Sequence, residues 1–70
     1  MNMFVEDVCD FYNKIRKRGE DNYSAETLAF AFLLGLPPAE CTGMYVESDW
    51  KQEWIDQYDD VVNLICKMKR

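Results

Sequence analysis

Ser24-Ala25-Glu26-Thr27-Leu28-Ala29-Phe30-Ala31-Phe32-Leu33-Leu34-Gly35 is the stretch that decides the fold. From Leu28 to Leu34 no polar residue interrupts it. Such a run suits either a central helix or a fully buried strand. Alanine and leucine dominate it and no β-branched residue follows Thr27, so the helix is favoured. Ser24 is a strong N-cap. Tyr23, just before it, and Leu28 have the spacing of a hydrophobic staple. Gly35 followed by Leu36 fits a Schellman ending, and Pro37 and Pro38 forbid continuation. A helix that is apolar on every side is buried. Residues 25–34 are therefore expected to form the centre of the molecule, with Phe32, Leu33 and Leu34 in its core.

Upstream, Phe4, Val8, Phe11, Tyr12 and Ile15 recur at spacings of three and four, which predicts an amphipathic helix over residues 3–18. Asn2 is its expected N-cap. Its acids come early and its bases late, as the helix dipole prefers, and Asp10 and Lys14 form an i,i+4 pair. Gly19 ends it in a left-handed conformation. Downstream, residues 35–47 read as an irregular linker. Within it, Pro38 is placed to open a single turn through Thr42, Gly43 breaks that turn, and Met44-Tyr45-Val46 is a short extended apolar stretch.

The longest helix is expected over about residues 49–68, starting at Ser48 or Asp49. Asp49 and Gln52 have the spacing of a capping box. At about 100° per residue, Trp50, Trp54, Tyr58, Val61, Val62 and Ile65 form one apolar stripe. Asp49, Glu53, Asp56 and Asp60 form a line along the opposite side. The fold predicted is all-α: a compact three-helix bundle (about 3–18, 25–34 and 49–68) with an irregular Pro/Gly-containing linker at 35–47. In it, the last helix packs Trp54, Tyr58, Val61, Val62 and Ile65 against the middle one.

The chain has 70 residues, which is one domain's worth, so residues 1–70 are expected to be a single small helical domain. A chain of this size leaves only a few kcal/mol of net stability, and oligomerisation or a partner often supplements it. Its hydrophobic content of 49% is enough for a packed core and argues against disorder. No run approaches about 18 apolar residues, so no membrane span is expected. The first residues lack a basic segment followed by an apolar one, so no signal peptide is expected. Cys9, Cys41 and Cys66 are odd in number and have no C-x-x-C pair, which suits reduced cytoplasmic thiols.

Charge narrows the functional classes. The net charge is −5, whereas nucleic-acid binders usually present a basic patch. Residues 20–60 hold ten acids against Lys51 alone. There is no histidine, so the commonest general base is missing, and no cysteine has an electropositive setting of the kind that activates a thiolate. Three isolated cysteines do not make a structural zinc site, and carboxylates on a regular helix lack the turn that a calcium loop needs. No catalytic residue, metal or cofactor is expected. Residues 30–44 loosely follow a helix-turn-helix pattern, but residues 38–45, which would be its second helix, hold none of the usual readers of base edges. The basic run Lys14 to Arg18 suits the C-terminal end of a helix, where cations complement the dipole.

Two features stand out. Glu47, Asp49, Glu53, Asp56 and Asp60 form an acidic surface almost without interleaved lysine, although like charges at i,i+4 cost a few tenths of a kcal/mol each. Ten aromatic residues exceed what a small three-helix core encloses comfortably, and Trp and Tyr are favoured anchors at interfaces. Tyr45 and Trp50 are the anchors expected beside the acids, and Tyr12 and Tyr58 are expected to flank the core. The leading expectation is a non-catalytic protein–protein interaction module in the cytoplasm. It would be a small acidic inhibitor or modulator that occludes a basic, nucleic-acid-handling surface of a larger protein. In size and charge such a chain resembles, by type and not by motif, phage-encoded anti-defence (anti-CRISPR-like) or host-takeover proteins. The alternatives are a homo-oligomeric adaptor, for instance a homodimer, and a small helix-turn-helix-like regulator.

Overall fold

A computed structural model describes residues 3–69, with the side chains given from Phe4 onward. Three α-helices, α1 (Met3–Lys17), α2 (Ala25–Leu34) and α3 (Gln52–Met68), form a bundle, and a 3-10 turn at Pro38–Cys41 lies between α2 and α3. No strand occurs among the described residues. The expected cap at Asn2 and the terminal base Arg70 lie outside them.

Local chemistry sets the ends of the first two helices. In α1, the amide of Glu20 donates to the carbonyl of Ile15 (3.0 Å) and that of Gly19 to Arg16 (3.0 Å), with Gly19 at φ 72°. That pair of bonds is a Schellman motif. In α2, the Ser24 Oγ accepts from the Thr27 amide (3.2 Å) and donates to Thr27 Oγ1 (2.9 Å), satisfying one of the open N-terminal amides. Its other end carries the simpler left-handed cap, in which Gly35 at φ 70° donates to Ala31 (3.0 Å). The Schellman motif expected at Gly35 is thus found at Gly19. Leu36 is drawn away by Pro37 and makes no sixth-residue bond back to α2.

The main core joins all three helices. Val8, Tyr12 and Ile15 from α1 meet Ala25, Leu28 and Ala29 from α2 and Val61 and Ile65 from α3. Tyr12, expected at the edge, is only 3% exposed. α2 lies along α3 more extensively than any other pair of elements touches, and alanines at positions 25 and 29 suit a close helix–helix approach. A smaller cluster of Phe30, Ala31 and Cys41 extends the core under the linker, where Phe11, Val46, Trp50 and Tyr58 close over it. Pro38 and Cys41 bury the 3-10 turn's inner side, and a turn with Gly43 at φ 83° follows, closed by the Met44 amide on Cys41 (3.1 Å). Residues 38–45 therefore do not form the second helix that a helix-turn-helix reading requires.

Two further expectations fail, each for a tertiary reason. α3 begins at Gln52, with Lys51 at the cap position and no side-chain cap; residues 48–50 are a turn in which the Trp50 amide donates to Glu47 (3.2 Å). The turn delivers the Trp50 ring onto Phe30, edge to face at 5.7 Å. Burying part of an indole is worth about as much as a cap or more, roughly 1–3 kcal/mol against roughly 1, so the aromatic contact decides the start. The last turn of α2 is also not core: Phe32 and Leu33 are half-buried and Leu34 is 38% exposed. The all-round apolar pattern overstates burial there, because two helices and a short turn cannot surround α2: Phe32 reaches Phe4 and Phe11, while Leu34 borders an open groove with Trp50, Lys51 and Trp54.

Candidate functional site

The outer face of α3 carries the acids that the spacing picks out. Glu53, Asp56 and Asp60, at i, i+3 and i+7, share one side of the helix and are all exposed. Gln52 Nε2 donates to Asp56 Oδ1 at 2.9 Å, holding that carboxylate along the helix. Among the described residues, none of these three carboxylates forms an ion pair with a lysine or arginine. Asp60 borders a shallow cleft with Phe4, Val5, Asn63, Leu64 and Lys67, where α1 meets α3. Asp49 does not continue the row. It sits in the turn before α3, and Glu47 precedes it in the linker; both are exposed. The acidic surface is thus a three-residue helical row plus a separate acidic turn.

The aromatic anchors divide. Tyr45 is 80% exposed, between half-exposed Met44 and half-buried Val46. Trp50 is half-buried and sits amid three rings, 5.7 Å from Phe30, 6.1 Å from Trp54 and 6.4 Å from Tyr58, each near perpendicular. These are favourable edge-to-face arrangements. Trp54, expected to pack into the core, instead leaves 44% of its surface open. Together with Leu34 and Lys51, Trp50 and Trp54 line an open groove of about 450 Å³. Of these four only Trp50 is expected at the site from the sequence; Lys51 is not singled out by it, and Trp54 and Leu34 are expected in the core. Leu34 is the last residue of α2, and only the tertiary fold brings it beside the start of α3.

Two titratable side chains beneath and beside the linker, Cys41 and Tyr58, are held protonated. Burial pushes the Cys41 thiol up, and Glu40 adds to the effect. Burial also raises the Tyr58 hydroxyl, reinforced by Glu26 and Asp59. Neither is therefore activated as a base or nucleophile near neutral pH. Cys9 is half-buried, Cys66 is exposed, and all three cysteines are unpaired. Among the described residues no three Cys, Asp or Glu side chains converge in a way that holds a metal ion, and no helix is long and apolar enough to cross a membrane. Lys14, Arg16, Lys17 and Arg18 are all exposed at the far end of α1, and Arg18 and Glu20 flank a cleft floored by Phe11, Phe32 and Pro38. No known protein family, characterised protein or solved structure matches the chain.

Proposed function

We propose that the chain is a non-catalytic protein–protein interaction module. It acts in the cytoplasm as a small acidic inhibitor or modulator, of the phage anti-defence or host-takeover type, that occludes a basic, nucleic-acid-handling surface of a larger protein. The observation that supports this reading is the combination at one end of α3: carboxylates that are exposed and, among the described residues, without cationic partners, beside a tryptophan that is nearly half open to solvent. Unpaired like charges on one helix face destabilise the isolated domain slightly. A basic partner reverses the sign of that term. Opposed charge also speeds encounter and steers orientation, while desolvated aromatics slow release.

The test is capture on the immobilised chain from an extract of its native source. It uses the parent, a Glu53→Lys/Asp56→Lys variant and a Lys14→Glu/Arg16→Glu/Lys17→Glu variant. All five positions are exposed, so each substitution is expected to shift stability within about 0.5 kcal/mol. Basic, nucleic-acid-handling proteins are expected to bind the parent, to fall away as salt rises and to be lost with the first variant but not the second. Retention by the first variant together with release by the second assigns binding to the basic run and overturns the reading.

A further inference from the structure

The groove between α2 and α3 has a chemistry that specifies its occupant. Leu34 forms one wall, and Trp50 and Trp54, edge to face at 6.1 Å with their planes 73° apart, form the other. Leu34 and Trp54 are among the few large apolar side chains left more than a third open. The chain around the groove is strongly one-signed, since residues 47–60 hold six acids and the single base Lys51. Asp49 and Glu53 directly flank the two tryptophans in sequence and are exposed. Lys51 itself lines the groove. A cation is therefore repelled from the floor, while cations just outside it meet carboxylates.

The geometry points to a basic, amphipathic peptide segment of a partner protein as the occupant: one large apolar side chain enters between Leu34 and the Trp50/Trp54 pair, and flanking lysines or arginines pair with Asp49 and Glu53, the carboxylates next to the two tryptophans. This deepens the proposed function and rests on it, because it makes the groove the anchor and the acids the rim of one docking site. An acidic segment is excluded by the six carboxylates. A purely basic segment gains the rim and forgoes the anchor, which is where alanine truncation usually costs most at an interface.

Three synthetic peptides of about 14 residues, about four helical turns, separate these contributions: one of leucine and lysine, one with its leucines replaced by alanine, and one of leucine and glutamate. Each is titrated into the chain by calorimetry, with tryptophan emission as a second readout. The leucine–lysine peptide is expected to bind and move the emission to shorter wavelength. The alanine–lysine peptide binds about tenfold more weakly, and the leucine–glutamate peptide does not bind. Trp54→Ala and, separately, Leu34→Ala are expected to weaken the first peptide about tenfold, and Trp54→Phe to weaken it less. Far-UV circular dichroism checks that each variant keeps its helices. Glu53→Lys/Asp56→Lys is expected to weaken both lysine peptides. Equal binding of the glutamate peptide, or undiminished binding by folded Trp54→Ala and Leu34→Ala, overturns the groove assignment. So does a dimer in sedimentation that excludes the peptide, because a second copy is then the occupant. If the groove variants bind normally while the charge reversal releases the peptide, the anchor fails and the acidic-surface reading stands. If neither matters, both fail.

Discussion

Replacing Phe30 by alanine is expected to unfold most of the molecule's margin of stability. Phe30 is 1% exposed and belongs to the cluster beneath the linker, with Trp50 edge-on at 5.7 Å and Tyr58 tilted at 4.8 Å. A buried Phe→Ala change costs about 3–5 kcal/mol. The lost ring pairs account for part of that, at about 0.5–1.5 kcal/mol each. A chain of 70 residues has roughly 3.5–10 kcal/mol in all, at about 0.05–0.15 per residue. At about 4–8 °C per kcal/mol, the melting temperature falls by at least about 12 °C, and in a marginal domain the variant is unfolded at room temperature. Urea titration followed by tryptophan emission measures the loss directly, since Trp50 loses its packing partner. Far-UV circular dichroism in the same titration tests whether helices and aromatic cluster melt together. Leu34→Ala is the internal comparison, because its side chain is 38% exposed at the end of α2 and is expected to cost about 1 kcal/mol or less. If Phe30→Ala melts with the parent, or Leu34→Ala costs more than Phe30→Ala, the assignment of the core to the first two turns of α2 is wrong.

Ser24→Ala removes the cap of α2 and is expected to cost about 1 kcal/mol in a thermal melt, while Ser24→Gly costs only a few tenths. Gly35→Ala is expected to cost about 1 kcal/mol although nothing crowds the site, because a Cβ at φ 70° is strained; an unchanged midpoint would show that the cap has rearranged. Thiol labelling should modify Cys66 first and Cys41 only at the rate of unfolding, and fast labelling of Cys41 in the folded chain contradicts its burial. Cys41 and Tyr58 have folded-state pKa values above their ordinary ones, so the stability they contribute is complete below the ordinary values and is lost as pH rises through the raised ones. Stability is therefore expected to be flat near neutrality and to fall at alkaline pH, less steeply in a Cys41→Ala/Tyr58→Phe variant. An identical alkaline fall in that variant places the titration elsewhere.

The helices were legible where their signals are local. Both ends of α2 are set by Ser24 and Gly35, residues whose preference for those positions does not depend on the rest of the fold. The acidic row was legible for the same reason, since Glu53, Asp56 and Asp60 share a face of any helix that contains them. The start of α3 was not. Asp49 and Gln52 carry a convincing cap signature, but Trp50 has a better use in contact with Phe30, some twenty residues away. Burial was misjudged wherever it depends on where a neighbouring helix ends. Leu34 looks like core by composition and is open because it borders a groove that Trp50, Lys51 and Trp54 only partly close, whereas Tyr12 looks like a flank residue and is covered by α2 and α3. The groove lay beyond sequence reasoning altogether, as its walls come from the last residue of α2, the turn before α3 and the first turn of α3.

The dependence of α2 on α3 has a consequence during synthesis. Until residues 52–68 exist, the alanine-lined side of α2 and Leu28 have no α3 to cover them, and α1 meets them without its own contacts to Val61 and Ile65. At about 5–20 residues per second, the 17 residues of α3 take about one to three seconds to make. The most recently added residues lie inside the ribosome, so α2 emerges before α3. The alanine-lined side of α2 stays uncovered until α3 has emerged as well. The bundle is therefore expected to close only after all of α3 has left the ribosome.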